Sequence, residues 1–410
     1  MNDKVTRFRA AYASLQTISV TGTNGKTTTT SMIDCIVAAS NEPCARLTTL
    51  GSFVNGEPVS VGDTSTEFLR TIELAVESGV TTFALEVTSK ALMSGWAQKW
   101  PAQVAVFTNI SRDHMDMHSS PEAYLAAKAQ LFMTVPDGAH CILNACDPYS
   151  EFIAETVPEH AEIHYYAVGS HSLPSTPALS ATEVRCTRFG LDIQLSESDL
   201  ASKLGNRLQL SVVGEVHAHN ALAAALATYH AGISPDAIVL GLSNFRGVPG
   251  RFEIVCSEPL IVVDYAHTPD GLRGTLETAR QLVGDSGQLH LVFGCGGERD
   301  PGKRPQMGLV ADEGADRITI SNDNPRRECP ENIADDIVSG VPSLSNRWRR
   351  CLDRPEAIRR VVAEAGPQDV IVIAGKGHES VQEIAGNKIP MSDIALVSAA
   401  LALIEPNKGL

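Results

Sequence analysis

The octapeptide Thr21-Gly22-Thr23-Asn24-Gly25-Lys26-Thr27-Thr28 constrains this chain more than any other stretch. It follows the short apolar run Ile18-Ser19-Val20 and precedes a helical pattern from Thr29 to Ala39. A strand, a glycine turn and a helix start in that order build a phosphate cradle. Backbone N–H groups and the helix N-terminus face the anion, and a lysine supplies a compact charge. The general phosphate-loop pattern carries glycine five residues before its Gly-Lys pair. Val20 stands there instead, so this is a tighter variant. The bland alternative is a glycine turn before an ordinary helix. In the phosphate reading, Lys26 reaches the terminal phosphates of a nucleotide and the Thr27 hydroxyl ligates Mg²⁺.

Short apolar strands alternate with longer helical patterns on either side of this loop. Strands are expected at Thr17–Thr21, Thr82–Val87, Val104–Asn109 and Cys141–Asn144, with helices such as Glu67–Ser78 and Pro121–Leu131 between them. Such alternation marks a mostly parallel sheet wrapped by helices. From about His164 to Val213 short alternating runs predict a small antiparallel patch, followed by an alanine-rich helix over His217–Ala231. Gly247-Val248-Pro249-Gly250 reads as a hinge. A second α/β pattern follows, with strands at Leu260–Tyr265, Leu289–Gly294, Arg317–Ser321 and Val370–Ala374, and helices such as Gly271–Leu282 and Pro355–Ala365. The expected organisation is therefore residues 1–249 and 250–410.

The net charge of −15 argues against a nucleic-acid partner, which would need a basic surface. Nine cysteines without a Cys-x-x-Cys pair read as reduced thiols of a cytoplasmic protein. No run approaches the ~18 apolar residues of a membrane helix, and Met1–Ala13 has no apolar signal core. The expectation is a cytoplasmic protein without a membrane partner; nothing in the sequence sets an oligomeric state.

Ligands of open parallel sheets bind at the carboxyl ends of strands. The polar residues of interest fall there: Gly22–Thr28, Glu86, Asn109–His114, Asp264–His267, Asp323–Arg326 and Gly375–Glu379. Glu86 ends its strand as a magnesium ligand would, although a solvated strand-end glutamate is at least as common. Ser111–His118 holds two histidines and two aspartates without a cysteine, which disfavours zinc there. Lys128, alone on its helix, would ordinarily be a solvated charge.

The chain resembles the Mur ligases. The likeness is carried by Thr21–Thr28, Leu85-Glu86-Val87, Phe107–Asp116, Glu122-Ala123-Tyr124 with Ala127-Lys128, Gly250–Glu253, Asp264–Pro269, Phe293–Asp300, Lys303-Arg304-Pro305, Asp323–Arg326 and Gly375–Glu379, in the family's order. It runs over nearly the whole chain and points to the branch that adds the third residue of the peptidoglycan peptide. The resemblance implies a P-loop ATPase-type central domain with a mostly parallel sheet, followed by a Rossmann-like α/β domain that binds an amino acid. It implies an ADP-forming ligase: ATP phosphorylates a small carboxylate and an amino group displaces the phosphate. By likeness Thr27 and Glu86 hold one Mg²⁺, and His114 and Lys128 hold a second, with Lys128 carbamylated by CO₂. Nucleotide contacts map onto Gly22, Thr23, Asn24, Gly25, Lys26, Thr27, Thr28, Asn220, Arg251, Asp264 and Lys303. The Asp-Asn-Pro-Arg run resembles the diaminopimelate-adding version, in which Arg326 pairs with the distal carboxylate. Arg299, Asp323, Asn324, Gly375 and Glu379 complete that pocket.

Departures from the family cluster on the side of the carboxylate substrate. Thr64-Ser65-Thr66 replaces Thr-Thr-Pro, and Glu86-Val87-Thr88-Ser89-Lys90 replaces Glu-Val-Ser-Ser-His. Trp96 stands where the family has an arginine facing the substrate, and the loop lies too early for the family's uridine-binding domain to precede it. Thr64, Ser65, Thr88, Lys90 and Trp96 are therefore candidates for a different acceptor, smaller than or unlike a UDP-muramoyl peptide. Three alternatives stand beside this: a peptidoglycan ligase whose missing domain comes from another chain, a folylpolyglutamate-synthetase-like ligase, and a non-catalytic nucleotide-binding scaffold.

Overall fold

The computed structural model describes residues 10–60, 64–169, 176–343 and 346–404, with the side chains of 64–66 left aside. The chain divides into two compact units, residues 1–110 with 120–246, and residues 111–119 with 247–410.

The first unit is built on one eleven-stranded sheet, ordered β11-β10-β9-β8-β7-β6-β1-β5-β2-β3-β4. Its strands are β1 (Gln16–Thr21), β2 (Cys44–Thr48), β3 (Gly51–Val54), β4 (Glu57–Val59), β5 (Thr82–Glu86), β6 (Val104–Phe107), β7 (His140–Asn144), β8 (Glu162–Val168), β9 (Leu179–Thr187), β10 (Gly190–Leu195) and β11 (Arg207–Leu210). The central strands β1, β5, β6 and β7 pair in parallel and bury nearly every residue. Strands covered on both faces tend to near-continuous apolar runs, as in β6, whereas β1 buries Thr17, Ser19 and Thr21 beside Ile18 and Val20. The expected antiparallel patch is present as β9-β10-β11 and continues the same sheet. The opposite edge, an antiparallel meander over β2, β3 and β4, was not expected; its strands are short and half-exposed.

The helices that matter for the site are α1 (Lys26–Ala39), α2 (Thr64–Glu77), α3 (Pro121–Met133) and α4 (Val216–His230). Ser120 caps α3 by accepting from Ala123 N–H, and Pro121 starts the helix where no amide donor is needed. The alanine-rich α4 is buried on most of its surface, including Ala221 to Ala227, and packs against α1. A helix apolar all round belongs in an interior.

The second unit holds a six-stranded sheet, ordered β12-β13-β17-β14-β15-β16, from β12 (Glu253–Ser257), β13 (Leu260–Asp264), β14 (Leu289–Phe293), β15 (Arg317–Ile320), β16 (Trp348–Arg350) and β17 (Val370–Ala374). Only β12 runs antiparallel. Helices α5 (Pro269–Leu282) and α6 (Arg354–Glu364) begin at the caps Thr268 and Asp353, each followed closely by proline. A hairpin of β18 (Val381–Ile384) and β19 (Asn387–Pro390) stands apart from that sheet. No helix among the described residues is long and apolar enough to cross a membrane.

Candidate active site

In the first unit the phosphate loop leaves β1 at the point where the chain turns to opposite sides, toward β5 and β2 on one hand and β6 to β8 on the other. Such switch points leave a crevice at the strand ends. Two glycines are required there. A Cβ on Gly22 would lie 1.9 Å from Thr108 Oγ1, and one on Gly25 would lie 2.5 Å from Asn220 Oδ1. Gly25 also has a left-handed backbone, φ 85°, immediately before α1. The loop is tied down from the end of β6. Thr23 N–H donates to the Asn109 carbonyl at 2.8 Å, Asn24 N–H donates to Asn109 Oδ1 at 2.9 Å, and Thr108 Oγ1 donates to the Asn24 carbonyl at 2.7 Å.

Lys26 Nζ turns back to the Thr23 carbonyl at 2.7 Å. The Thr27 hydroxyl donates to Glu86 Oε2 at 2.8 Å, and Thr49 N–H reaches the same oxygen at 3.2 Å. Thr28 is buried behind them in α1. Thr27 and Glu86 offer oxygen ligands only, the donor set a hard cation such as Mg²⁺ takes, so these residues fit that ion. Lys128 is buried, not solvated: its Nζ donates to the Gly22 carbonyl at 2.6 Å and lies 4.5 Å from the centre of the Tyr124 ring. Tyr124 in turn meets Thr23 Oγ1 at 3.2 Å. Asn220, buried on α4, accepts from Thr29 Oγ1 at 3.3 Å.

Of the acceptor-side candidates, Thr88 caps the short helix Ser89–Met93, accepting from Ala91 N–H at 3.3 Å, and Lys90 on that helix is exposed. Trp96 opens the helix Trp96–Lys99 and meets Phe68 edge-on, ring centres 4.0 Å apart. Phe68 also contacts Phe83 and Trp100. The Thr64 and Ser65 side chains lie outside the described residues.

In the second unit Asp113 is the hub of one charged cluster. His114 Nε2 and His267 Nε2 lie 3.4 and 3.5 Å from its Oδ2, and Lys303 Nζ lies 3.7 Å from Oδ1. Burial pushes the Asp113 pKa up, but the His267 hydrogen bond and charge, with Lys303 and His114, hold this carboxyl well below the usual carboxylate range. His114 has a left-handed backbone, φ 56°. Arg112 makes a two-point pair with Asp300 at 2.8 and 3.2 Å, and Arg299 reaches Asp116 at 3.3 Å. Asp264 is saturated by its own neighbours: it accepts from Phe252 N–H, Ala266 N–H and Thr275 Oγ1 at 2.6, 3.0 and 2.8 Å. Arg251 lies over the Tyr265 ring at 4.2 Å. The Tyr265 hydroxyl is pushed up to about 12, mainly by burial.

A second network joins the ends of β15 and β17. Lys376, fully buried, donates to Asn324 Oδ1, Glu379 Oε2 and the Val381 carbonyl at 3.0, 2.7 and 2.8 Å. Asn324 Nδ2 donates to the same Glu379 oxygen at 2.8 Å. Asp323 is buried beside them, and Gly375 N–H donates to the Asp264 carbonyl at 3.1 Å. Arg326 is pinned through its backbone to the β18–β19 hairpin, N–H to the Glu383 carbonyl and carbonyl to Ala385 N–H. Its guanidinium donates to the Gly297 carbonyl at 2.5 Å and lies 3.6 Å from Glu383 Oε2. The backbone is left-handed, φ 52°, a conformation a bulky residue keeps only where its surroundings fix it.

Thr27, Glu86 and Lys128 thus cluster at the loop of the first unit, while His114 belongs to the second. Thr49 carries no signal in the sequence, and Asp113 and Lys376 are marked there only as members of the runs Asn109–His114 and Gly375–Glu379, without roles of their own. Roles for Asp113 and Lys376 were legible in principle, since Asp113 precedes His114 and Lys376 lies three residues before Glu379.

Comparison with known proteins gives this geometry its context. Residues 20–228 match the Mur ligase middle domain, and residues 250–377 match the Mur ligase glutamate ligase domain. The chain belongs to the Mur ligase family. It is 38% identical over 401 residues to the UDP-N-acetylmuramoyl-L-alanyl-D-glutamate--2,6-diaminopimelate ligase of Synechococcus sp. (strain WH7803), covering 94% of this chain and 77% of that one. The ligase of the same name from Geobacillus kaustophilus (strain HTA426) is 37% identical over 398 residues, covering 94% and 79%. A solved structure of a UDP-N-acetylmuramoyl-L-alanyl-D-glutamate--2,6-diaminopimelate ligase superposes with a TM-score of 0.64 at 32% identity, covering 95% of this chain and 79% of that one. Mycobacterium tuberculosis folylpolyglutamate synthase complexed with ADP shares the fold, with a TM-score of 0.72 at 20% identity and coverage of 97% and 92%. This Mur ligase is an ATP-dependent, ADP-forming enzyme that forms amide bonds.

Proposed function

We propose that this ligase joins a carboxylate other than a UDP-muramoyl peptide to the amino group of a diaminopimelate-type amino acid. The observation that carries the acceptor half is Trp96. Where the family resemblance calls for a guanidinium, an indole is built edge-on into an aromatic cluster with Phe68, Phe83 and Trp100. Its Nε1 is buried without a hydrogen-bond partner. An apolar face replaces a fork-shaped cation, and an anionic acceptor loses its bidentate partner.

Residues 1–249 then act as the ATP-binding domain and 250–410 as the amino-acid-binding domain. The loop from Gly22 to Thr28 binds the phosphates through backbone N–H groups, and Lys26 swings from the Thr23 carbonyl to the terminal phosphates. Thr27 with Glu86, and His114 with a carbamylated Lys128, would hold two Mg²⁺ ions. These, when bound, supply positive charge against the phosphoryl oxygens. Carbamylation would turn the buried Lys128 from a cation into an oxygen ligand beside the loop. Asn220, Arg251, Asp264 and Lys303 frame the nucleotide, Asp264 by fixing the backbone at Phe252 and Ala266. In the other pocket Arg326 presents its guanidinium to the distal carboxylate, on a backbone already fixed by Glu383 and Ala385. Asn324, Glu379, Asp323, Gly375 and Arg299 line its approach. ATP dependence and nine free cysteines support a cytoplasmic setting.

A second reading is favoured by the names of the relatives: the acceptor is UDP-N-acetylmuramoyl-L-alanyl-D-glutamate itself. The deciding assay is ADP release by purified protein with diaminopimelate, comparing that nucleotide-linked acceptor with a panel of small carboxylates. Turnover confined to the nucleotide-linked acceptor would establish the second reading and overturn the first. Loading with ¹³C-bicarbonate and looking for a carbamate resonance that Lys128→Ala abolishes tests the lysine assignment.

A further inference from the structure

The first unit carries a side-chain cluster that the ligase reaction does not use. His140 begins β7, Glu162 and His164 lie near the start of β8, and His230 ends α4. Sheet register brings the first three together. His140 pairs with Glu162 across the parallel ladder, and His164, two residues on, shares the face of Glu162. The cluster sits at the amino edge of the strands, whereas the phosphate loop follows the carboxyl end of the parallel strand β1.

The distances are those of a coordination polyhedron. His140 Nδ1 and His164 Nε2 are 3.1 Å apart, and Glu162 Oε2 lies 3.5 and 3.4 Å from them. A tetrahedral zinc with bonds of about 2.0–2.1 Å sets its ligand atoms roughly 3.3 Å from one another. These three atoms therefore outline one face of such a site. His230 stands next to them: one ring nitrogen from each of the three histidines falls within a mutual 4.8 Å. Its ring stacks on His164 at 3.7 Å between centres and lies 4.5 Å from that of His140.

We infer that His140, Glu162, His164 and His230 form a binding site for a zinc-class divalent cation, separate from the ATP site. The donor set suits such an ion, since imidazole nitrogen with one carboxylate selects zinc and its neighbours over Mg²⁺. The C-terminal carbonyls of α4 add partial negative charge at His230. His140 and His164 are only 24% and 17% exposed, while Glu162 at 66% leaves a path for entry. Closing the fourth position requires His230 to rotate off its stack onto the ion, which ties the end of α4 to β7 and β8. The site would be a staple for the fold, and its test does not depend on which substrate the ligase takes.

The experiment uses full-length protein stripped with EDTA and reloaded with zinc in excess Mg²⁺, so that oxygen-lined positions stay filled by Mg²⁺. Bound zinc is counted by mass spectrometry of the digested sample, cobalt replacement reports coordination by absorption, and the thermal midpoint is followed. The expected result is one zinc per chain, a tetrahedral cobalt spectrum and a higher midpoint with metal. All three are lost in His164→Gln and His230→Gln, and all are retained in His160→Gln, whose ring nitrogens face Val135 and Asp137 instead. Glu162→Gln, at an exposed side chain, serves as the variant should a histidine change unfold the protein; it weakens retention without changing the fold. Failure of the wild type to retain zinc, or full retention by His230→Gln and Glu162→Gln, overturns the assignment.

Discussion

Alanine at Gly25 tests the phosphate loop at its tightest point. The backbone there has φ 85° and ψ −14°, and a left-handed conformation costs an L-residue about 1–2 kcal/mol. The new Cβ would also lie 2.5 Å from Asn220 Oδ1, so that amide must move. Moving it loosens the hydrogen bond from Thr29 Oγ1 in a buried setting, worth about 1 kcal/mol. Gly25→Ala should therefore destabilise the first unit by about 2–3 kcal/mol. The same shift displaces the loop amides, so the KM for ATP should rise by about tenfold for each 1.4 kcal/mol lost from the phosphate contacts. Asn220→Ala removes the clash partner but leaves the backbone cost. The double variant should then recover about 1 kcal/mol relative to the sum of the single changes. Urea unfolding followed by tryptophan fluorescence, with ADP release at varied ATP, measures both quantities. Wild-type stability and KM in Gly25→Ala, or simple additivity in the double variant, would refute this account of the loop.

Three further outcomes are expected. Arg326→Lys keeps the charge but loses the planar fork that reaches the Gly297 carbonyl, so the KM for diaminopimelate should rise about tenfold or more and preference over lysine should fall. Competition between the two amino acids measures this, and an unchanged ratio removes Arg326 from the pocket. Asp393→Ala strands Arg354, a fully buried guanidinium held by two 2.7 Å bonds, and should cost the second unit about 3–5 kcal/mol in urea unfolding. Replacing both partners by apolar residues should restore much of that loss. His219, lowered by burial to about 4, stays neutral in the fold while the unfolded chain takes up a proton near the ordinary imidazole pKa. The unfolded state binds more protons between about pH 6.5 and pH 4, so stability falls as pH drops through that window. His219→Phe should flatten the midpoint-versus-pH curve there; an unchanged slope would assign the loss to other groups.

Much of this was legible in the sequence, for a physical reason. Strands buried on both faces are mostly apolar, and the chemistry of an open parallel sheet gathers just past their carboxyl ends. The position of Lys128 in the interior, with its Nζ on the Gly22 carbonyl, was not legible from spacing, because a lone helical lysine carries no local signal. Nor was the β2–β4 meander, whose short half-exposed strands leave no apolar run. The membership of Ser111–Ser119 in the second unit comes from pairs such as Arg112 with Asp300, 188 residues apart. The histidine cluster shows the same limit. His140, Glu162, His164 and His230 share no motif and meet only through the register of β7 on β8 and the end of α4.

The proposed division of function follows the elements that carry the residues. Glu86 is opposite Val20 in the β1–β5 ladder, so its carboxylate is set by the register of two buried central strands. Thr27 is fixed by the glycine turn that the ends of β1 and β6 dictate. A change at either position would have to be absorbed by the sheet itself. Lys90 and Trp96, by contrast, stand on helices of five and four residues, tied locally by the Thr88 cap and by packing on Phe68. Short surface elements on a rigid scaffold tolerate replacement, which is why binding specificity is so often carried there. On the proposed assignment, phosphate chemistry on the sheet and acceptor recognition on the short helices could therefore change independently. A triple replacement at positions 88, 90 and 96 with the residues of the family pattern should shift acceptor preference toward nucleotide-linked substrates while leaving the KM for ATP within about twofold, because no strand register changes. A large loss of ATP affinity in that variant would show that the two functions are coupled through the sheet after all.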